Sequence, residues 1–84
     1  PQREAPLFFR WRGGAAVMSG PWKLVTDDAG PPWPLEKWKL YDMRTDMTET
    51  ADLAADHPEV RLYLRAAFLE WLADPLGVAR LYER

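Results

Sequence analysis

Ser19, followed by Gly20-Pro21 and with Lys23 four residues on, has the makings of a hydrolase nucleophile. A serine hydroxyl acquires that role when a neighbouring base takes its proton and a third group orients the base. The chain offers one histidine for the work, His57. Neither residue lies in a nucleophile-elbow pattern. The same letters read better as a tight turn between two strands, with His57 leading into a helix.

The acids Asp42, Asp46, Glu49, Asp52 and Asp56 raise the question of calcium. A hard-cation loop needs oxygen ligands at defined spacing and a glycine at its sharp turn. This stretch has no glycine, so turn chemistry and helix caps are the better account of its acids. With no cysteine in the chain, disulfides and thiolate metal sites are excluded. Five tryptophans could form a sugar-stacking platform. Trp11, Trp22 and Trp38, however, fall on the apolar side of strands and Trp71 on a helix stripe, which places them in a core. Trp33, in a proline-rich loop, is the exception and is expected at an interface or pocket rim.

The elements that must position these residues follow from periodicity. Leu7, Phe9 and Trp11 share one face of a strand. Ala15 to Met18 forms a second strand, Ser19-Gly20-Pro21 turns, and Trp22 to Thr26 resumes the alternation as a hairpin partner. Asp27 to Pro34 is a loop rich in proline. Trp38 to Asp42 is a fourth strand, and its Trp-Lys-Leu echoes Trp22-Lys23-Leu24 as a second half-buried strand, too short an echo for a repeat. The polar stretch 43–57 has room for one helical turn within Thr48 to Ala55. Asp56 and Glu59 make a capping-box pattern ahead of a helix at about 58–73, with Pro58 in its first turn. Its stripe is Val60, Leu64, Ala67, Phe68 and Trp71, widened by Tyr63 and Leu72. Asp74-Pro75 stops it, and a short second helix through Leu81 is allowed by the sequence.

On the far side of that helix lie Leu62, Ala66, Leu69 and Ala73, with Arg61, Arg65 and Glu70 the only charges between 60 and 73. A helix apolar on both sides is usually sandwiched. The expectation is a partner across the Leu62/Leu69 face, either the body of a larger protein or a second copy of this chain. The opening Pro1-Gln2-Arg3-Glu4-Ala5-Pro6 reads as a polar linker without an initiator methionine, in keeping with a piece of something longer.

At 84 residues and 48 % hydrophobic, the chain has room for one small packed domain, 7–84 after the linker 1–6, its last ten or so residues a tail or short helix. Net charge is −2 with no basic cluster, which disfavours nucleic acid. No apolar run approaches the ~20 residues of a membrane span. The compartment stays open.

Ala-Ala-Val-Met-Ser-Gly-Pro-Trp-Lys-Leu-Val at 15–25, and Lys-Trp-Lys-Leu-Tyr-Asp-Met-Arg-Thr-Asp-Met-Thr-Glu-Thr-Ala-Asp-Leu-Ala-Ala-Asp-His-Pro-Glu-Val at 37–60, resemble the C-terminal end of sulfatases. The bacterial arylsulfatase branch of the alkaline phosphatase superfamily is the most similar, because Trp38 stands two residues before Leu40-Tyr41-Asp42. The likeness spans about residues 7–73. Met43 stands where leucine is usual, Met47 replaces the proline after Asp46, and Met18-Ser19 replaces a more polar pair. The first two conserve bulk or relax a turn, and none bears on chemistry.

The resemblance implies a small four-stranded antiparallel sheet with a C-terminal α-helix packed on one face, an α+β unit resting on a large catalytic domain. Strands are expected at roughly 7–12, 15–19, 22–27 and 37–42. Sulfatases use a formylglycine made from Cys or Ser in a Cys/Ser-x-Pro-Ser/Ala-x-Arg motif, with bound calcium, and all of that lies in the catalytic domain. Against that motif, Ser19-Gly20-Pro21-Trp22-Lys23-Leu24 has tryptophan where a small residue is needed and leucine where arginine must stand. The expectation is therefore the non-catalytic structural subdomain of an arylsulfatase-like sulfuric ester hydrolase. It has no catalytic, cofactor or metal residues of its own; the parent is the enzyme and this segment alone is not. The tail of a related phosphonate or phosphodiester hydrolase is one alternative, and a free-standing protein- or carbohydrate-binding module is another.

Overall fold

A computed structural model of the chain describes residues 6–27 and 30–73. Four strands, β1 (Leu7–Trp11), β2 (Gly14–Ser19), β3 (Trp22–Thr26) and β4 (Lys39–Asp42), precede one long helix, α1 (Pro58–Leu72). The strands form a single antiparallel meander in the order β1-β2-β3-β4. The α+β expectation of a four-stranded antiparallel sheet with a C-terminal helix on one face holds. The proposed helix beyond Asp74 and the linker residues 1–5 lie outside the described residues.

Two-residue turns set the first two hairpins of the meander, and residues 27–38 lead from β3 to β4. Ser19 pairs with Trp22 across Gly20-Pro21, and Gly20 has φ +57°. A glycine at the first central position of a two-residue hairpin supplies the positive φ that the twist of the strands requires. Proline's fixed negative φ suits the next position. Ser19 is the last residue of β2, at the base of a turn.

Both faces of the sheet are apolar, and α1 covers one of them. On the inner face Ala15, Val17, Leu24 and Leu40 meet Leu64, Phe68 and Trp71 of α1 in one cluster that also takes in Trp33, Trp38 and Ala54. Leu24 and Leu40, the two echoed leucines, are direct cross-strand partners and fully buried. Phe68 lies edge-on to Trp33 and Trp38, with centroids 5.0 and 5.2 Å away. Phe8 stacks on Trp71 at 5.2 Å and 11°. Edge-to-face and offset packing of this kind adds about 0.5–1.5 kcal/mol per pair beyond burial alone.

Several local expectations are corrected. β4 begins at Lys39 rather than near 37, because Leu35–Lys37 forms a 3₁₀ turn that Trp38 closes. β1 and β3 each stop one residue short of the expected end, at Trp11 and Thr26, while β2 starts one earlier at Gly14. The cap of α1 is His57, not Asp56, and no side chain caps it. The reason is a preceding turn in which the Leu53 carbonyl accepts from both Asp56 N and His57 N at 3.0 Å. That turn stands at 54–56 where a helical turn within 48–55 was expected.

Tyr63 is 65 % exposed and does not widen the core stripe. Trp11, expected in the core, is 39 % exposed on the outer face. Trp33, expected at a rim, is only 5 % exposed. Its φ of +61° is a left-handed conformation costing on the order of 1–2 kcal/mol for a non-glycine residue. The Trp33 carbonyl accepts from Arg65 Nε at 2.7 Å and Trp38 Nε1 at 3.4 Å, which holds the loop down on the helix.

Candidate functional site

Of the residues singled out for chemistry, Ser19 ends β2 and Asp42 ends β4, while Asp46, Glu49, Asp52, Asp56 and His57 lie in the connector between β4 and α1. The His57 ring packs against Trp22 with centroids 5.0 Å apart, and its Nδ1 lies 3.9 Å from Glu59 Oε2. Neither contact involves Ser19, so serine and histidine do not form a nucleophile–base pair. Asp42 pairs across strands with Trp22 at the same end of the sheet. Its carboxylate is taken up by Arg44, which donates from N, Nε and Nη2 at 2.9–3.1 Å. Those hydrogen bonds hold Asp42 below the usual carboxylate range. As the orienting group of a triad it is already engaged.

Two of the remaining acids, Asp46 and Asp52, hold backbone donors of the connector. Asp46 accepts from Thr50 N, Ala51 N and Thr50 Oγ1 at 2.8–2.9 Å, and the two backbone donors are the main reason its pKa is lowered. Asp52 accepts from Leu40 N and Ala54 N at 3.0 Å, tying the connector to the edge of β4. Glu49, at φ +60°, meets Lys23 Nζ at 2.5 Å. Among the described residues no group of three His, Asp or Glu side chains could hold a metal ion. Tyr41 has its phenol pushed up, first by burial and then by the Asp52 charge.

The larger unassigned surface is the outer face of the sheet. There Ala16, Val25 and Tyr41 form a second buried cluster with Phe9 and Met43 packed on it. Beside it lies an open groove of about 300 Å³ lined by Phe9, Trp11, Ala16, Met18 and Lys23. The indole of Trp11 lies over Gly14, its cross-strand partner. A Cβ built on Gly14 would come within 2.6 Å of the indole nitrogen and 2.5 Å of the Thr26 carbonyl. Glycine is therefore what lets the ring lie flat there. On the other flank a second hollow of about 280 Å³ is lined by Val25, Asp27, Glu36, Lys37 and Lys39.

The helix back, expected to carry the partner face, is divided. Leu62 is 55 % exposed, whereas Leu69 is half-buried against the edge of the core. The C-terminal turns of α1 are seated in the Phe8–Phe68–Trp71 aromatic cluster. A side chain at 69 reaches that cluster, and one two turns earlier stands clear.

Periodicity singled out one apolar face per strand: in β1 it picked Leu7, Phe9 and Trp11, which lie on the outer face, and in β3 and β4 the inner residues Leu24 and Leu40. The signal of a second apolar face was present as apolar doublets: Phe8-Phe9, Ala15-Ala16, Val17-Met18, Leu24-Val25 and Leu40-Tyr41. A strand with an apolar side chain on both sides of the pleat is built to be covered on both.

No family model matches the chain, and no curated protein matches it.

Proposed function

We propose that this chain is the C-terminal structural subdomain of an arylsulfatase-like sulfuric ester hydrolase and has no hydrolase activity alone. The observation that carries the reading is the outer sheet face, where Trp11 and Leu7 keep 39 % and 40 % of their surface exposed above a second apolar cluster. A face of that kind suits a lobe that lies against another body. The segments that resemble sulfatases support the reading by falling on consecutive elements. Residues 15–25 make the β2–β3 hairpin, 39–42 make β4, and His57-Pro58-Glu59 opens α1. The place of Ser19 at the end of a strand and the use of Asp42, Asp46 and Asp52 as acceptors of neighbouring donors support the same reading. What reaches the parent enzyme from this segment is buried surface and loops near its pocket rim.

Hydrolysis of p-nitrophenyl sulfate by the isolated chain with calcium present tests the claim. Background release is expected; turnover that Ser19→Ala abolishes would sink it. The same lobe could belong to a phosphonate or phosphodiester hydrolase, and the nucleophile motif of the parent decides between them. A carbohydrate-binding module is less well supported, because Trp33, Trp38 and Trp71 are each 5 % exposed or less and cannot present a stacking platform.

A further inference from the structure

We infer that β1 is a docking edge for a second copy of this chain, the two β1 strands pairing antiparallel so that two four-stranded sheets become one continuous sheet. This contact stands apart from the sulfatase reading.

The two edges of the sheet differ. Along β4 the connector closes the edge: Leu40 N donates to Asp52 Oδ1 at 3.0 Å, and the Leu40 carbonyl accepts from Leu53 N at 2.7 Å. Among the described residues no strand lies beyond β1. Its register fixes which groups point outward. Trp11 faces Gly14 across a two-residue turn, so the hydrogen-bonded pairs with β2 fall at Trp11, Phe9 and Leu7. The main-chain N–H and C=O of Phe8 and Arg10 therefore point away from β2. Sheet edges are commonly blunted by lysine, proline or a bulge. Residues 7–11 contain neither residue type and pair with β2 without a bulge.

What fixes the occupant is that β1 is its own complement. A two-fold axis through Phe9 sets Phe8 opposite Arg10 of the second copy, with two main-chain hydrogen bonds to each such pair. On the outer face Phe9 then meets Phe9, and Leu7 meets Trp11. The two large side chains that keep 40 % and 39 % of their surface in water thus cover one another. On the inner face each Arg10 lies beside a Phe8 ring, within reach of a cation–π contact. Sliding by two residues loses the match: one way opposes Arg10 to Arg10, and the other leaves Trp11 without a partner. A two-fold contact requires a patch that fits itself, and Leu7-Phe8-Phe9-Arg10-Trp11 is one. The contact is short, so the dimer is weak and depends on concentration.

Disulfide trapping reads the register directly, because the chain has no cysteine. Leu7→Cys and Trp11→Cys replace exposed side chains that face each other in this pairing, at a Cα separation a disulfide can span. Mixed and oxidised, the two variants should give the mixed dimer roughly tenfold over either self-linked one, since like positions lie ~14 Å apart along the strands. The unaltered chain should sediment as a concentration-dependent dimer. An N-methyl amide at Phe8, introduced by chemical synthesis, should weaken that dimer roughly tenfold through two lost hydrogen bonds. Far-UV circular dichroism should stay unchanged, because that N–H takes no part in the β1–β2 ladder. A chain that remains monomeric at every concentration overturns the inference. So does a dimer in which self-linkage matches mixed linkage, one that N-methylation leaves intact, or one that Leu62→Lys abolishes, which gives the contact to the helix back.

Discussion

On the inner face of the sheet Val17, Leu24 and Leu40 are fully buried beneath Phe68 and Trp71, while on the outer face Leu7 and Trp11 keep about two fifths of their surface in water. The strands contribute apolar side chains to both faces in similar number. The difference is the covering layer. α1 brings leucine and two large aromatics down onto the inner face, and the 30–34 loop adds Trp33 beside them. Among the described residues the outer face has no such layer, and Phe9 and Met43 lean onto Ala16, Val25 and Tyr41. Apolar composition makes a surface adhesive, but a core closes only when a second layer lies within contact distance.

The sharpest way to break that contrast is at its closed side. Phe68 is fully buried and touches Trp33, Trp38 and Trp71. Phe68→Ala should cost about 3–5 kcal/mol, a large share of the ~4–13 kcal/mol expected for a domain of this length. Urea denaturation should show a collapsed or absent transition. A loss below about 1 kcal/mol would mean that the inner layer is not the main source of stability.

A smaller effect is expected where the open face is held in shape. Gly14→Ala sets a methyl group against the Thr26 carbonyl and the Trp11 ring at once. Overpacking of this kind costs roughly 1–3 kcal/mol. Adding Trp11→Ala should recover only part of the loss, because the backbone clash remains. A double-mutant cycle reads the division directly. Full recovery would show that Gly14 is there for the ring alone.

Strand order, turns and helix could be read from the sequence because each is set by neighbours a few residues apart. Gly20-Pro21 between alternating runs and Pro58 ahead of a 3.6-residue stripe are local signals. Trp33 could not be read this way. Its burial depends on Arg65, 32 residues away, donating a hydrogen bond to the Trp33 carbonyl. Prolines on either side of Trp33, with Gly30 just before them, suggest solvent, and nothing nearby in the chain says otherwise. The missing Asp56 cap has a similar origin: the Leu53 turn delivers the chain to Pro58 at an angle set by the backbone, so the carboxylate is not used. For the candidate site, the residue types were legible and their assignments were not. That acids crowd residues 42–56 is plain from the sequence, but which donors Asp42, Asp46 and Asp52 accept from depends on the connector's path.

Leu62 and Leu69 are the finest test of how far a face can be judged from spacing. Seven residues apart, they differ by only about 20° around an ideal helix and look like one seam. One is 55 % exposed, the other packs on the core edge. Leu62→Lys should shift stability by no more than about 0.5 kcal/mol, as for other solvated helix positions. Leu69→Lys should cost about 2 kcal/mol, since a charge must leave the aromatic cluster or be desolvated beside it. Thermal melts of the two variants side by side measure the difference. Equal losses would mean that the helix back is covered along its whole length, and the open surface of the molecule would then be the sheet alone. Unequal losses leave Leu62 as an isolated exposed leucine, which a soluble domain tolerates without needing a partner.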